Sequence, residues 1–380
     1  MIFVERSSRS VVANQIDKKG LLKARKGVFV GTLPDNAMVA NTATKWAGVE
    51  WTMILWPLPT DPQDRARLMA HEMWHRIQND LGLPAANPAN GHLDTRDGRV
   101  WLQLEWRALA RALSHSGKER REAIEDAVTF RARRHELFPD GAAEEVALEM
   151  NEGLAEYTGV VVSAGKARVA ARFAIDALGR APSANETFVR SFAYASGPAY
   201  GVLLDDLTPG WRAGLKPTND LGDLLREAMR MRPLLAAQLQ REASRRAKRY
   251  DSEKLFQAED ERERNRQKVL AAYRVKFVDG PVLTLPFVKM QIQFNPRNLV
   301  PLDDVGTVYP TMRISDAWGI LTVTDGGLVD GAWQKAVVAA PVDISKRPLS
   351  GDGWELQLND GWSVKENSDR PTFILERSDP

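Results

Sequence analysis

The 380-residue chain is predicted to be an α+β protein followed by a β-rich domain, because its hydrophobic period changes twice. Residues 27–57 alternate short apolar runs with turn residues, in Gly27-Val28-Phe29-Val30-Gly31 and then Gly48-Val49-Glu50-Trp51-Thr52-Met53-Ile54-Leu55-Trp56 before Pro57. This is the mark of a small N-terminal β-layer. From 62 to about 275 the pattern turns helical, with stops expected at Gly82, Gly117, Pro139, Gly159, Gly179 and Pro209. Past Asp279-Gly280 it alternates again, in Val282-Leu283-Thr284-Leu285, Lys289–Phe294, Gly319–Val323 and Trp354–Leu358. A mainly helical domain 1–275 and a β-rich domain 276–380 are therefore expected, with Gly353-Trp354 and Gly361-Trp362 paired on one hairpin.

Within the helical part, residues 62–81 are punctuated as one helix. Asp61 caps it, Pro62 takes the first helical position, Asp64 falls in the first turn, and Gly82 with Pro84 stops it. On its wheel Ala70, Met73, Trp74, Ile77 and Leu81 share one arc and are expected to pack, while His71, Glu72 and His75 occupy another. The second arc spells His71-Glu72-Met73-Trp74-His75. Two imidazoles one turn apart can reach a single ion, and a carboxylate beside the first can reach a water there, which is the HExxH arrangement of a zinc hydrolase. The rival is a buried helix whose histidines merely satisfy neighbours. Only five histidines occur (71, 75, 92, 115 and 135), and two of them flank a glutamate on a capped helix, which favours ligation.

Composition bounds the rest. With 43% hydrophobic and 27% charged residues the chain can bury a full core, and a net charge of +2 supplies no field for nucleic acid. The charge-dense tract from Pro233 to about Tyr273 reads as a solvated bridging helix laced with ion pairs. No run of 18 apolar residues predicts a membrane span, and Met1–Ser10 lacks the apolar stretch of a secretory signal, so a soluble chain of open compartment is expected. The absence of cysteine confines any zinc to nitrogen and oxygen donors.

A catalytic zinc takes three protein ligands, so the two histidines need a partner. The downstream candidates are His92, Glu105 and the helix Glu149–Tyr157; Glu105 is expected to pair with an arginine, and His92 to sit exposed in a loop. Asn151-Glu152-Gly153-Leu154-Ala155-Glu156-Tyr157 resembles the second metal-binding helix of the gluzincins, most of all the Asn-Glu-Gly segment of the aminopeptidase N-like zinc metallopeptidases. The resemblance implies a zincin-like catalytic domain, one zinc ion, and Glu152 as the third ligand. Glu156, one turn on, is placed to accept a hydrogen bond from a ligating imidazole. Gly153 inside a helix costs about 1 kcal/mol against alanine and points to close approach of another element. The 76 residues between His75 and Glu152 are read as a helical hairpin, about 99–115 and 118–137, looped out of the site.

Tyr194-Ala195-Ser196-Gly197 resembles the tyrosine-x-x-glycine segment of the same family. That implies an oxyanion role for Tyr194, with Tyr157 and Tyr200 as substitutes. Ala47-Gly48-Val49-Glu50-Trp51 stands where the family has its substrate-aligning edge strand, so Glu50 is the expected contact to substrate. The resulting expectation is a zinc metallopeptidase with Glu72 as general base and a peptide or protein substrate. Its alternatives are a zinc-dependent esterase or non-peptide amidase, and a non-catalytic binding protein on a zincin scaffold.

Overall fold

The computed structural model describes residues 1–34, 37, 39–184, 187–295, 298–302, 305–367 and 372–377. The chain forms two units, Met1–Phe256 and Gln257–Pro380, so the division falls before the expected 275/276.

The first unit opens with six strands: β1 (Ile2–Glu5), β2 (Ser10–Ala13), β3 (Lys23–Arg25), β4 (Val28–Thr32), β5 (Thr42–Trp46) and β6 (Val49–Trp56). They make one sheet in the order β3-β4-β2-β1-β6-β5, in which only β1 and β6 run parallel. The sheet thus begins at Ile2, well ahead of residue 27. At three or four residues each, β1 to β3 are too short to show a period, although Ile2, Val4, Val11 and Ala13 supply its core. The expected edge strand at 47–51 is also corrected. It forms the turn and start of β6, which pairs with β5 and β1, and β5 takes the sheet edge.

Helix α1 (Pro62–Ile77) starts as its sequence dictates, with the Asp61 carboxylate accepting from the backbone N–H groups of Gln63 and Asp64 at 2.8 and 2.9 Å. It ends four residues before Leu81, and its faces differ from expectation: Met73, Ile77 and Leu81 are 51, 39 and 53% exposed, whereas His71 and Glu72 are buried beside Ala70. Only Trp74 of the remaining apolar arc packs on the large core. The helix lies along α5 (Leu154–Ala164), and the hydrogen bonds its polar arc makes there decide which side is inward.

The helical hairpin is present as α2 (Arg96–Ser114) and α3 (Gly117–Leu137). It is not looped out. Val100, Leu102, Leu104, Trp106 and Leu109 of α2 are all within 1% of complete burial, in one core with residues of α5, α6 (Ala167–Ala184) and α7 (Phe192–Leu207). Between α3 and α5 run α4 (Pro139–Leu148) and a π-helical turn, Glu149–Gly153. Gly159 and Gly179 stop nothing and lie inside α5 and α6; at Gly159 a Cβ would stand 2.8 Å from the Arg67 carbonyl oxygen, so the glycine lets α1 and α5 touch. Helices α8 (Leu221–Ala228), α9 (Ala236–Ala247) and α10 (Ser252–Arg274) follow, the last two separated at Asp251, whose φ is 51°. The charge-dense tract is thus two helices, and part of its charge is inward. Arg246, Arg249 and Tyr250 converge on buried Asp126 of α3 at 2.9, 2.8 and 2.9 Å.

The second unit contains β7 (Val282–Pro286), β8 (Gln291–Phe294), β9 (Val300–Leu302), β10 (Gly306–Tyr309), β11 (Met312–Asp316), β12 (Gly319–Val323), β13 (Gly327–Asp330), β14 (Lys335–Ala339), β15 (Leu349–Gly351), β16 (Trp354–Leu358), β17 (Trp362–Asn367) and β18 (Thr372–Arg377). They form a seven-stranded sheet, β17-β18-β7-β14-β13-β10-β9, and a five-stranded sheet, β15-β16-β12-β11-β8, which share a core around Leu283, Ile314, Trp318, Leu321 and Val338. Trp354 and Trp362 are not hairpin partners. β16 pairs with β12 and β15 while β17 pairs with β18, and the turn through Gly361, at φ 79°, carries the chain from one sheet to the other.

Candidate metal centre

Residues 77 apart in sequence meet where α1 lies against the π-helical turn and α5. The Nε2 atoms of His71 and His75 are 3.2 Å apart, and Oε2 of Glu152 is 3.4 Å from each. In a tetrahedral site with bonds of about 2.0–2.1 Å, neighbouring ligand atoms are about 3.3–3.4 Å apart, so this triangle has the dimensions of three ligands around one zinc ion. Two nitrogens and one oxygen are also the donor set of a catalytic rather than a closed structural site. No other group among the described residues meets the same test.

Each donor is held from behind. Nδ1 of His71 lies 2.9 Å from Oε2 of Glu156, so the Nδ1–H donates to that carboxylate and Nε2 is turned to the trio. Nδ1 of His75 is 3.0 Å from Oε1 of Gln78, whose amide nitrogen donates to Oδ1 of Asn151 at 2.9 Å; Asn151 in turn donates to the Ala86 carbonyl at 2.9 Å. Oε1 of Glu152, turned from the histidines, has the Arg190 guanidinium at 3.6 Å. The π-helical turn is the device that aims these acids. Within one widened turn Glu149 reaches Arg131 at 2.6 Å while Glu152 faces the histidines. Gly153 allows it: a Cβ there would lie 3.3 Å from Cα of Gly197, and a Cβ on Gly197 would overlap the Gly153 backbone. This is the close approach that a glycine in mid-helix implied.

Electrostatics follow from this crowding. Burial works to discharge His71, but hydrogen bonds to Glu152 and Glu156 outweigh it and raise the imidazole to about 9 in the metal-free chain. Burial likewise opposes the Glu152 charge, yet His71, His75 and Tyr194 hold its carboxyl well below the usual carboxylate range. Glu72 is raised, chiefly by burial, and its carboxylate has no hydrogen-bond partner among the described residues. A buried, unpaired carboxylate beside a metal-sized triangle is free to exchange a proton.

Tyr194 reaches the same place from α7. Its hydroxyl donates to Oε2 of Glu152 at 2.6 Å and its ring stacks on His71 with centroids 5.6 Å apart. Burial, then the Glu152 charge, raises the phenol and keeps it protonated. The two substitutes are placed elsewhere, Tyr157 on Asp205 and Tyr200 on Glu105. Glu105 is not a ligand; it accepts from Arg134 at 2.6 Å in a buried network. His92 is neither exposed nor near the trio, because its Nε2 is 2.8 Å from Glu145 in that network. Glu50 is exposed and opposite Lys45 on the β5–β6 hairpin; its carbonyl accepts from Arg76 at 3.1 Å, and its side chain takes no part in the trio. Gln78, Asn151 and Arg190 are the site residues that the sequence did not disclose, although Asn151 adjoins Glu152 and Gln78 lies three residues past His75.

Comparison of the chain with protein-family models, curated proteins and solved structures finds no match.

Proposed function

We propose that the chain is a zinc-dependent metallopeptidase of gluzincin type, with a zincin-like first unit, in which His71, His75 and Glu152 hold one zinc ion. The reading is carried by the Nε2–Nε2–Oε2 triangle, with edges of 3.2, 3.4 and 3.4 Å, next to an unpaired buried glutamate. When bound, the ion supplies a Lewis acid that polarises a substrate carbonyl and makes a water nucleophilic at neutral pH. Glu72 then takes the proton of the attacking water and returns it to the leaving amine, a task suited to a carboxylate raised by burial. Tyr194, which stays protonated, offers its hydroxyl to the developing oxyanion, a kind of contact worth about 3 kcal/mol when one donor is removed. Glu156 and Gln78 keep both imidazoles turned so that Nε2 faces inward. A peptide bond is the substrate this machinery fits best, since amide cleavage needs both a base and a proton for the nitrogen that leaves.

The test is Glu72→Gln. The variant is expected to retain one equivalent of zinc while hydrolysis of a peptide library falls about 10²- to 10⁴-fold. Undiminished cleavage would remove Glu72 from the mechanism, and a wild-type chain that takes up no zinc would remove the reading altogether.

A further inference from the structure

A cavity of about 530 Å³ lies among α3, α8, the segment after α8, and α9, and it shares no residue with the metal centre. Six arginines line it, Arg121, Arg131, Arg226, Arg230, Arg232 and Arg246. Three carboxylates line it as well, Glu125, Asp220 and Asp223, while Glu149 and Asp126 reach two of the arginines from outside the lining. Four of the arginines are engaged by acids: Arg131 by Glu149 and Asp220, Arg226 by Asp223, Arg246 by Asp126, and Arg121 by Glu125. The side chains of Arg230 and Arg232 are exposed and make no hydrogen bond or ion pair among the described residues.

Arg230 stands in an unusual conformation for its type. Its φ is 52°, at the position after α8 where its N–H bonds to the Glu227 carbonyl and that of Met231 to the Arg226 carbonyl. Glycine closes most such helix ends, and a side chain costs about 1–2 kcal/mol in this region. What the chain gains is a third arginine in the cavity lining, with Arg226 and Arg232. The wall also carries Val128, Met231, Leu234 and Leu239.

We propose that this cavity binds a small organic phosphate, its head held by Arg226, Arg230 and Arg232 and its apolar body laid on Met231, Leu234 and Leu239. A carboxylate offers two acceptor oxygens, enough for one guanidinium fork. A phosphate monoester brings about 1.5–2 negative charges and three acceptor oxygens, which match several guanidinium forks at once. The assignment stands apart from the metal reading.

Calorimetric titration of the intact chain with phenyl phosphate, benzoate and benzyl alcohol at low salt tests it. Saturable binding of phenyl phosphate is expected, with benzoate at least about tenfold weaker and benzyl alcohol silent. The double variant Arg230→Gly with Arg232→Ser should weaken phenyl phosphate at least about tenfold without lowering Tm, because glycine suits the backbone at 230. Arg245→Ser, outside the cavity, should leave binding unchanged. No saturable heat, equal affinity for benzoate, or unchanged affinity in the double variant would each overturn the proposal.

Discussion

His71 stands between two carboxylates, and that placement governs both its tautomer and its proton. Glu156 fixes the ring by accepting from Nδ1 at 2.9 Å. Replacing it with glutamine keeps the volume but weakens the acceptor, so Glu156→Gln should lower zinc affinity about 10- to 100-fold in competition with a chelating dye, with the fold intact. Glu152→Ala, which deletes a donor, should abolish stoichiometric uptake under the same conditions. Protons enter the same balance. With His71 raised to about 9, the imidazole is charged at neutral pH before an ion arrives, and zinc must displace that proton. Binding heats at pH 7 should therefore change with the ionisation enthalpy of the buffer, corresponding to release of about one proton. Apparent affinity should climb about tenfold per pH unit and level off near 9. Affinity that is flat between pH 7 and 8.5 would show that His71 is neutral beforehand.

At the scale of elements, the site depends on two helices coming closer than side chains permit. The Gly153–Gly197 contact sets the separation between the π-helical turn and α7, and so the reach of Tyr194 to Glu152. A methyl group at 197 meets backbone, which cannot swing aside, whereas one at 153 meets its first neighbour at 3.3 Å. Gly197→Ala is expected to destabilise by about 1–3 kcal/mol or more in urea unfolding, and Gly153→Ala by less. The reverse order would mean that the helices can part. These elements also show what a sequence discloses. The start of α1 and the pairing of His71 with His75 were readable because capping and the i, i+4 relation are local. The inward direction of that helix was not, since Glu156 and Gln78–Asn151 hold the polar arc inside and leave Met73 and Ile77 in water. Glu152 emerged only through resemblance, because the 76 residues that separate it from His75 include helices of the core, not an excursion. The strand around Glu50 was placed at the sheet edge for a related reason: the parallel pairing of β1 with β6 joins the chain start to residue 53 onward, and nothing near Glu50 announces it.

At the scale of the whole chain, each unit has its own core, and the first carries a buried network with more acids than bases. Glu105, Glu145, Glu149 and Asp220 gather around Arg131 and Arg134, with His92, His135 and the Tyr200 hydroxyl at the margin. Two guanidiniums cannot discharge four carboxylates at no cost. Burial, with Asp220 and Glu105 nearby, raises Glu149 to about 7 despite Arg131, while Arg134 and Arg131 hold Glu145 and Asp220 low against their own burial. The consequences for stability have opposite signs. Glu149 keeps a proton in the folded chain that it loses on unfolding above about 4.5, so its contribution is complete below that pH and is lost as the pH rises through 7. Glu145 and Asp220 contribute above their ordinary values and lose that contribution in acid. The first unit should therefore be most stable near pH 4.5 and weaken as the pH rises from there through 7. Calorimetry is expected to show two transitions, one of which falls in Tm from pH 5 to 8 while the other stays nearly level. Glu149→Gln, neutral at every pH and still able to accept from Arg131, should flatten the falling transition between about pH 5 and 6.5, below the range in which His71 loses its own contribution. If it declines just as steeply in that variant, Glu149 is not the group that titrates and the surplus negative charge of the network is relieved at another carboxylate.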